Sequence, residues 1–171
     1  GGIAFHLKFS GRRTPVRRLE GKIAWITGAG SGIGEAAAIA LAAEGAKVIL
    51  TGRRKEPLDA VAAKIKAAGG SALVKPGDLT KAATASRIAA TIKQKYGRLD
   101  VLVNNAGLNI LARSWRQLEA SGADQVLDVN LASAFYCAIA ALPMMRTQKD
   151  GVLIHTSSWA GRFIGMLSGP A

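Results

Sequence analysis

The stretch that decides the fold is TGAGSGIG, residues 27–34. It follows the apolar run at residues 23–26 and leads into an alanine-rich segment with helical character. Glycines let the backbone turn sharply and approach a ligand without Cβ clashes. The first turn of a helix presents free N–H groups and the positive end of its dipole, which suit a pyrophosphate. The stretch therefore predicts a phosphate-binding turn between a strand and a helix.

The glycine spacing excludes two other phosphate-binding loops. A G-x-G-x-x-G motif fails because its sixth position, counted from Gly28, is Ile33. A phosphate-loop NTPase fails because no Gly-Lys-Ser/Thr follows. What remains is Thr-Gly-x-x-x-Gly-Ile-Gly. A purely structural glycine turn is the alternative, and the position after the first strand, at a helix start, favours phosphate binding over it.

The rest of the chain alternates between short apolar runs and longer helical patterns. The runs are residues 23–26, 48–50, 72–74, 101–103 and 152–154, and each suits a strand buried on both faces. Between them, apolar residues recur at helical spacing, namely Leu58, Val61, Ile65 and Ala68; Ile88, Ile92 and Tyr96; and Leu127, Leu131, Phe135, Ala138 and Leu142. Gly45, Gly69 and Gly97 follow three of these helices as left-handed caps. The pattern predicts an α/β fold with a doubly wound, Rossmann-type parallel sheet.

Composition bounds the class of protein. The chain has 171 residues, of which 49% are hydrophobic, enough for one domain with a sizeable core. Cys137 is the lone cysteine, which excludes an internal disulfide and a cysteine-based zinc cluster; we expect it to be a small apolar core or interface residue. His6 and His155 lie far apart in sequence, so we expect no metal site. No uninterrupted apolar run approaches the ~18 residues of a membrane span, so we expect a soluble, cytoplasmic protein without a membrane partner.

The net charge of +12 raises a nucleic-acid hypothesis. Residues 1–18 carry five basic side chains and no acidic one, and they lack apolar periodicity. We treat them as a basic N-terminal arm, a processed terminus or a transit peptide, outside a dinucleotide-binding domain at residues 19–171. Apart from residues 53–55 the body of the chain has no basic cluster, so we expect no nucleic-acid partner. Steeply salt-dependent binding that is weakened by removing residues 1–18 would support the nucleic-acid alternative.

The glycine stretch, on this background, resembles the short-chain dehydrogenase/reductase family. Four later segments agree with the family in order: GDLT at residues 77–80, NNAG at 104–107, DVNL at 128–131 and HTSSWAG at 155–161. The resemblance runs from about Leu19 to the end of the chain. It implies an NAD(P)(H)-dependent oxidoreductase that transfers hydride between nicotinamide and a carbonyl or alcohol carbon of a small-molecule substrate. It also implies a homo-oligomer, if the chain is complete.

The resemblance also implies site residues. Ser158 would hydrogen-bond the substrate oxygen, and Asn130 would hold a water of the proton relay. The residues implied for cofactor binding are Gly28, Ser31, Gly32, Ile33 and Gly34 at the pyrophosphate, Asp78 and Leu79 at the adenine, and Asn104, Ala106 and Gly107 at the ribose.

Structural roles are the alternatives for these residues. For Asp78 the alternative is a cap on the helix that begins near Thr80, and for Ser158, at a strand end, an N-cap is favoured as much as the catalytic role. Asn104 suits a turn before Ala-Gly. Asn130 interrupts an apolar helix face, where an amide is costly unless it is hydrogen-bonded, and this favours a specific role. We expect His155 to be a packed strand residue.

The end of the second strand bears on cofactor choice. Folds that select NAD place an acidic residue here for the ribose hydroxyls, whereas this chain has Gly52 followed by Arg53. A guanidinium can pair with a 2′-phosphate in forked geometry, which a carboxylate would repel. We therefore expect NADP(H) to be favoured over NAD(H), with Arg53 at the 2′-phosphate. The alternative is that residues 53–55 are ordinary solvated charges.

One family element is missing from these residues. The resemblance calls for a Tyr-x-x-x-Lys pair after the serine, with the Tyr at or just past Ala171. The tyrosines here, Tyr96 and Tyr136, lack a Lys four residues on. The sheet would then be incomplete at its C-terminal side, leaving apolar surface on the fifth strand and the helix at residues 127–142 uncovered. The alternative function is a catalytically inactive dinucleotide-binding or assembly protein. The apolar stretch at residues 159–167 would form a substrate wall or part of the core.

Overall fold

A computed structural model of the chain describes residues 17–158, and within that range five parallel strands form one sheet. The strands are β1 (Ile23–Thr27), β2 (Lys47–Thr51), β3 (Ser71–Val74), β4 (Val101–Asn104) and β5 (Val152–His155). Their order across the sheet is β3-β2-β1-β4-β5, so the chain reverses its direction of travel beside β1. This order confirms the predicted Rossmann-type fold, and the reversal opens a crevice at the carboxyl ends of β1 and β4.

The helices cover both faces of the sheet. They are α1 (Gly32–Ala43), α2 (Lys55–Ala67), α3 (Ala82–Tyr96), α4 (Ala120–Leu127) and α5 (Ser133–Gln148), with a π-helical turn at Asp128–Ala132 joining the last two. The predicted caps Gly45, Gly69 and Gly97 all have positive φ angles. Because a left-handed residue there ends a helix cleanly, the three helix ends are confirmed.

Two buried clusters flank the sheet. On one face, Trp25 and Leu102 of the central strands pack against α3 and α5. On the other, Ile26 and Leu50 pack against α1 and α2. Trp25 is fully buried, and its Nε1–H donates to the Thr51 hydroxyl at 2.9 Å, so its one polar atom is satisfied.

The helix at residues 127–142 has the predicted helical spacing of apolar residues, but it buries a different face from the predicted one. Its buried side carries Ser133, Cys137, Ala141, Met144 and Met145. Of the predicted stripe, Leu127, Leu131 and Phe135 face outward, whereas Ala138 is partly buried against the core. The exposed apolar side chains are Leu127, Leu131, Phe135 and Ile139, each at least half exposed. Two apolar side chains of β5, Val152 and Ile154, are also exposed, at 50% and 44%. The predicted uncovered surface is therefore present, and we call the four helix residues the outer stripe.

The helix that carries the outer stripe also meets the length and composition of a membrane span. The continuous helix at Ala120–Gln148 has 29 residues and is, by length and composition, apolar enough to cross a membrane. Scattered polar residues divide this helix into short apolar runs, so run length alone does not reveal it. Only 22% of its most apolar 18-residue stretch is buried. A helix of this kind also occurs where a second protein surface covers the apolar face, so this feature alone is weak support for a membrane span.

A network of charged side chains links the amino ends of β1, β4 and β5, at the end of the sheet opposite the glycine turn. The carboxylate of Asp100, only 4% exposed, accepts hydrogen bonds from Lys22 at 3.2 Å, from Arg98 and from the Ile23 N–H at 2.8 Å. Lys22 also reaches Asp150, 3.2 Å away. Burial raises the pKa of Asp100, but the bonds from Arg98, Ile23 and Lys22 outweigh it and lower the pKa below its usual value.

The described part of the chain begins inside the arm predicted at residues 1–18. Arg18 forms a side-on pair with Glu44, with Nη2 2.8 Å and Nε 3.0 Å from the two carboxylate oxygens. The Leu19 N–H donates to the Glu44 carbonyl oxygen at 2.8 Å. The last residue of the predicted arm therefore contacts the end of α1, and the boundary between residues 18 and 19 stays a prediction. Residues 1–16 lie outside the described range.

Candidate functional site

The crevice at the carboxyl ends of the strands contains a groove with about 470 Å³ of open space. Its lining comes from the turns after β1, β2, β3 and β4 and from the π-helical turn. The lining residues are Gly28, Gly52, Arg53, Gly77, Asp78, Leu79, Thr80, Ala106, Gly107, Val129 and Ser133. A neighbouring groove continues along the glycine turn past Gly30, Ser31 and Arg54. Six predicted site residues, from four separate segments, thus line the first groove, and Ser31 lines its continuation.

Close packing explains two of the glycines. A Cβ on Gly28, whose φ is +64°, would lie 2.9 Å from the Cα of Ala106. A Cβ on Gly34 would lie 2.2 Å from the Gly28 carbonyl oxygen and 2.6 Å from Nδ2 of Asn105. Gly34 therefore lets α1 press against the start of the turn. Ile33 is 67% exposed beside them.

Thr27 holds the turn to the neighbouring strand. Its hydroxyl accepts the N–H groups of Asn105 and Ala106, each at 2.9 Å, and donates to the Val103 carbonyl oxygen at 3.3 Å. The side chain is 1% exposed, so one oxygen satisfies two backbone donors that would otherwise be buried without partners. Thr27 is a site residue without a predicted role, and its place as the first residue of the motif is the sequence signal that marks it.

Asn104 lies beneath the groove rather than in its lining. Its side chain is 6% exposed and Nδ2 donates to the Ala134 carbonyl oxygen at 3.2 Å. Nδ2 also lies 3.5 Å from Nδ1 of His155. The amide thus fastens β4 to α5, which corrects the view of Asn104 as a simple turn residue. Ribose contact by Asn104 stays a prediction.

The carboxylate of Asp78 accepts two hydrogen bonds from a residue two positions later in the chain. Its Oδ1 accepts the Thr80 hydroxyl at 2.8 Å and the Thr80 N–H at 3.1 Å. These two bonds, with the positive charges of Lys81 and Arg53 nearby, lower the pKa of Asp78. α3 begins at Ala82, so Asp78 stabilises the turn before the helix rather than capping it. Asp78 also lines the groove, so the structural role and the predicted adenine contact are compatible.

Asn130 lies in the π-helical turn, as helix irregularities at functional sites often do. Its Oδ1 accepts the Leu108 N–H at 2.8 Å, and its Nδ2 donates to the Leu108 carbonyl oxygen at 2.9 Å. The amide is therefore hydrogen-bonded to the loop after β4, and its role in a proton relay stays a prediction. Since the amide is engaged on both sides, any water of a proton relay would have to be held here by backbone groups or by a remaining lone pair.

The serine segment follows β5. Ser158 lies three residues past the end of the strand and is exposed. His155, predicted to be packed, is exposed instead, because β5 is the outermost of the strands in the described range. The predicted apolar wall at residues 159–167 falls outside the described residues.

Comparison with known proteins decides the family. A profile of the short chain dehydrogenase family matches residues 22–170. The chain belongs to the short-chain dehydrogenase/reductase family. An uncharacterized oxidoreductase of Staphylococcus aureus (strain MRSA252) is 42% identical over 143 residues, covering 84% of this chain and 61% of the relative. A 3beta-hydroxysteroid dehydrogenase of Mediterraneibacter gnavus is 40% identical over 144 residues, covering 84% and 52%.

Solved short-chain dehydrogenases have the same fold. A metagenomic short-chain oxidoreductase in complex with NADP superposes with a TM-score of 0.83 at 37% identity, covering 86% of this chain and 67% of that one. A 7α-hydroxysteroid dehydrogenase in complex with NADH and 7-oxo glycochenodeoxycholic acid gives 0.82 at 31% identity, covering 88% and 58%. This short-chain dehydrogenase/reductase chain therefore spans about three fifths or less of the curated relatives named above.

Proposed function

We propose that the protein is an oxidoreductase that binds NADP(H) in the groove and transfers hydride between its nicotinamide and a carbonyl or alcohol carbon. When bound, the cofactor supplies the hydride. The observation that carries the proposal is the convergence of the family's motifs on one groove, from Gly28 to Gly107. Ser158 would hydrogen-bond the substrate oxygen. The relatives' names support oxidoreductase chemistry, and the neighbours that hold NADP and NADH support a nicotinamide dinucleotide.

The chain's own residues would bind and orient the dinucleotide. The amide-rich start of α1, near Ser31, suits the pyrophosphate. Ala106 and Gly107, at the end of β4, leave room beside it for the ribose. Leu79, 5% exposed, offers an apolar contact to the adenine next to the carboxylate of Asp78. We assign these contacts because each of these residues lines one of the two grooves.

Selectivity for NADP(H) would come from Arg53. Its side chain has no hydrogen bond or ion pair within residues 17–158, and it lines the grooves on both sides of the β2 end. The guanidinium is thus available for a 2′-phosphate. A charge-assisted hydrogen bond contributes about 1.5–3 kcal/mol, so Arg53→Ala should weaken NADPH binding by about 10- to 100-fold and leave NADH binding nearly unchanged.

The test is calorimetric or fluorescence titration of the 171-residue chain with NADPH and with NADH. Lys55→Ala is the matched control, because it removes the same charge nearby while its Nζ is already paired with Asp59 at 2.5 Å. Binding of neither dinucleotide would overturn the proposal. Equal affinity for both, unchanged by Arg53→Ala, would overturn the NADP(H) preference alone.

An inactive dinucleotide-binding or assembly protein is the second candidate. It would apply if the protein carried no Tyr-x-x-x-Lys pair; the 171 residues given reach only to the expected position of the Tyr. The pair would supply the proton in catalysis, a role worth about 10²–10⁴-fold in rate. NADPH binding without carbonyl-dependent oxidation at 340 nm, in a protein whose intact mass is close to 17.7 kDa, would support this second candidate.

The outer stripe supports a proposal on assembly. Four apolar side chains at a spacing of four residues, from Leu127 to Ile139, form a continuous exposed face on α4, the π-helical turn and α5. The family resemblance implies a helix-mediated contact between subunits. We propose that a second copy of this protein covers the outer stripe.

A further inference from the structure

The serine segment contacts the glycine turn through one amide side chain. The Thr156 hydroxyl, two residues before Ser158, donates to Oδ1 of Asn105 at 3.1 Å. On the other side of the same amide, Nδ2 of Asn105 donates to the Thr27 and Gly28 carbonyl oxygens at 3.3 and 3.4 Å. Asn105 therefore lies between the end of β5 and the first residues of the turn.

The amide of Asn105 is confined in its orientation. Nδ2 lies where Cβ atoms on Gly28 and Gly34 would come within 3.0 and 2.6 Å, so the two glycines provide the room for it. The Asn105 N–H is also bound, to the Thr27 hydroxyl at 2.9 Å. The remaining freedom is rotation of the amide. The Thr27 and Gly28 carbonyl oxygens at Nδ2 disfavour the flipped amide, and the Thr156 hydroxyl, by donating to Oδ1, holds the amide from its other side.

The backbone supports the same connection. The Thr156 N–H donates to the Asn104 carbonyl oxygen at 2.9 Å and continues the β4–β5 ladder by one step. Thr156 is thus held at the point where β5 ends, with its hydroxyl aimed at the neighbouring strand. None of the family motifs described above assigns a role to this residue.

We propose that Thr156 is a positioning residue that couples the serine segment to the dinucleotide-binding turn through Asn105. The proposal rests on the proposed function, since the turn is taken as the cofactor site. Linkage between two sites is reciprocal: if the turn's geometry depends on Thr156, cofactor bound at the turn also restrains the segment that carries Ser158. Both directions can be measured.

Thr156→Val tests the coupling, because valine keeps the β-branched shape and strand preference but lacks the donor. In the cofactor-free chain, the backbone amide of Ala29, whose N–H donates to the Thr51 carbonyl oxygen at 3.1 Å, should exchange with deuterium about three- to ten-fold faster than in the wild type, the effect of losing one hydrogen bond. With NADPH, the dissociation constant should rise by a similar factor. NADPH should also protect the amides of residues 156–158 in the wild type but not in the variant.

Thr156→Ser should restore all three properties, since it restores the hydroxyl. Thr91→Val is the matched control: it removes a hydroxyl that donates to the Arg87 carbonyl oxygen on the exposed side of α3. Unchanged exchange of the Ala29 amide in Thr156→Val overturns the inference, whether or not the chain binds a dinucleotide. Failure of the wild-type chain to bind NADPH while exchange at the turn still rises would overturn the proposed function and leave the coupling supported.

Discussion

Gly34→Ala sets two physical effects against each other. Gly34 is the third residue of α1, and helix propensity alone predicts that alanine there stabilises the fold by up to about 1 kcal/mol. Packing predicts the opposite. The new Cβ would lie 2.2 Å from the Gly28 carbonyl oxygen, more than 1 Å closer than the ~3.5 Å of a comfortable contact. Because the obstruction is backbone, the turn itself must move.

Overpacking of this kind costs about 1–3 kcal/mol, and a backbone clash belongs at the upper end of that range. After allowing for propensity, we expect a net loss of about 2 kcal/mol in the free energy of unfolding. For a chain of this size that lowers Tm by about 4–8 °C. We also expect NADPH binding to be lost or strongly weakened, since the displaced carbonyl belongs to the turn. Urea and thermal unfolding, followed by the fluorescence of buried Trp25, measure the first effect, and titration measures the second.

The matched control is Gly32→Ala in the same turn. Its φ is +57° and a Cβ there meets nothing within 4 Å, so it carries only the left-handed strain of about 1–2 kcal/mol. The two variants therefore separate clash from strain. A Gly34→Ala protein that unfolds at or above the wild-type temperature and binds NADPH normally would refute the reasoning, because helix propensity would then outweigh the packing.

Three further predictions concern the rest of the fold. Asp100→Asn should lower stability at pH 7 by about 1.5–3 kcal/mol, because Lys22 and Arg98, themselves partly exposed, lose their hydrogen bonds to a charged carboxylate. Since the folded-state pKa of Asp100 is lowered, its stabilisation is present above about pH 4 and is lost as the pH falls below it, so denaturation curves of variant and wild type should converge in acid. Phe135→Glu should shift a dimer toward monomer in sedimentation velocity while far-UV circular dichroism is unchanged; an unaltered assembly would contradict the proposed contact. Burial raises the pKa of the Cys137 thiol to about 12, so it should react with a disulfide reagent only after unfolding, and rapid labelling of the native chain would contradict its packing.

Much of the fold could be predicted from local patterns. Apolar runs a few residues long mark strands because a sheet covered on both faces needs side chains that are apolar on both sides. Glycine at the helix ends marks their limits because the left-handed conformation is costly for other residues. The glycine turn was also predictable. Its glycines act through the backbone conformation that they allow, so their positions in the sequence are enough to identify it.

The predictions that failed, and the roles that were missed, depend on how the strands and helices pack against one another. Period alone cannot tell which of two apolar faces a helix buries, and α5 buries the side with Cys137 while Phe135 faces outward. His155 occupies a strand position typical of a packed residue, yet β5 lies outermost in the described sheet. The roles of Thr27 and Asn105 were missed because hydrogen bonds between segments nearly 80 residues apart leave no local signature.

The groove has two parts, a floor of backbone that is held by Thr27 and a rim that includes the side chain of Arg53. The floor consists of backbone held by Thr27, whose one oxygen serves three hydrogen bonds, so almost any substitution there disturbs folding and ligand capture together. Arg53 on the rim carries no such duty toward the described fold. Directed evolution of cofactor choice should therefore accumulate its tolerated changes at the rim. A library randomised on the floor should yield mostly insoluble clones.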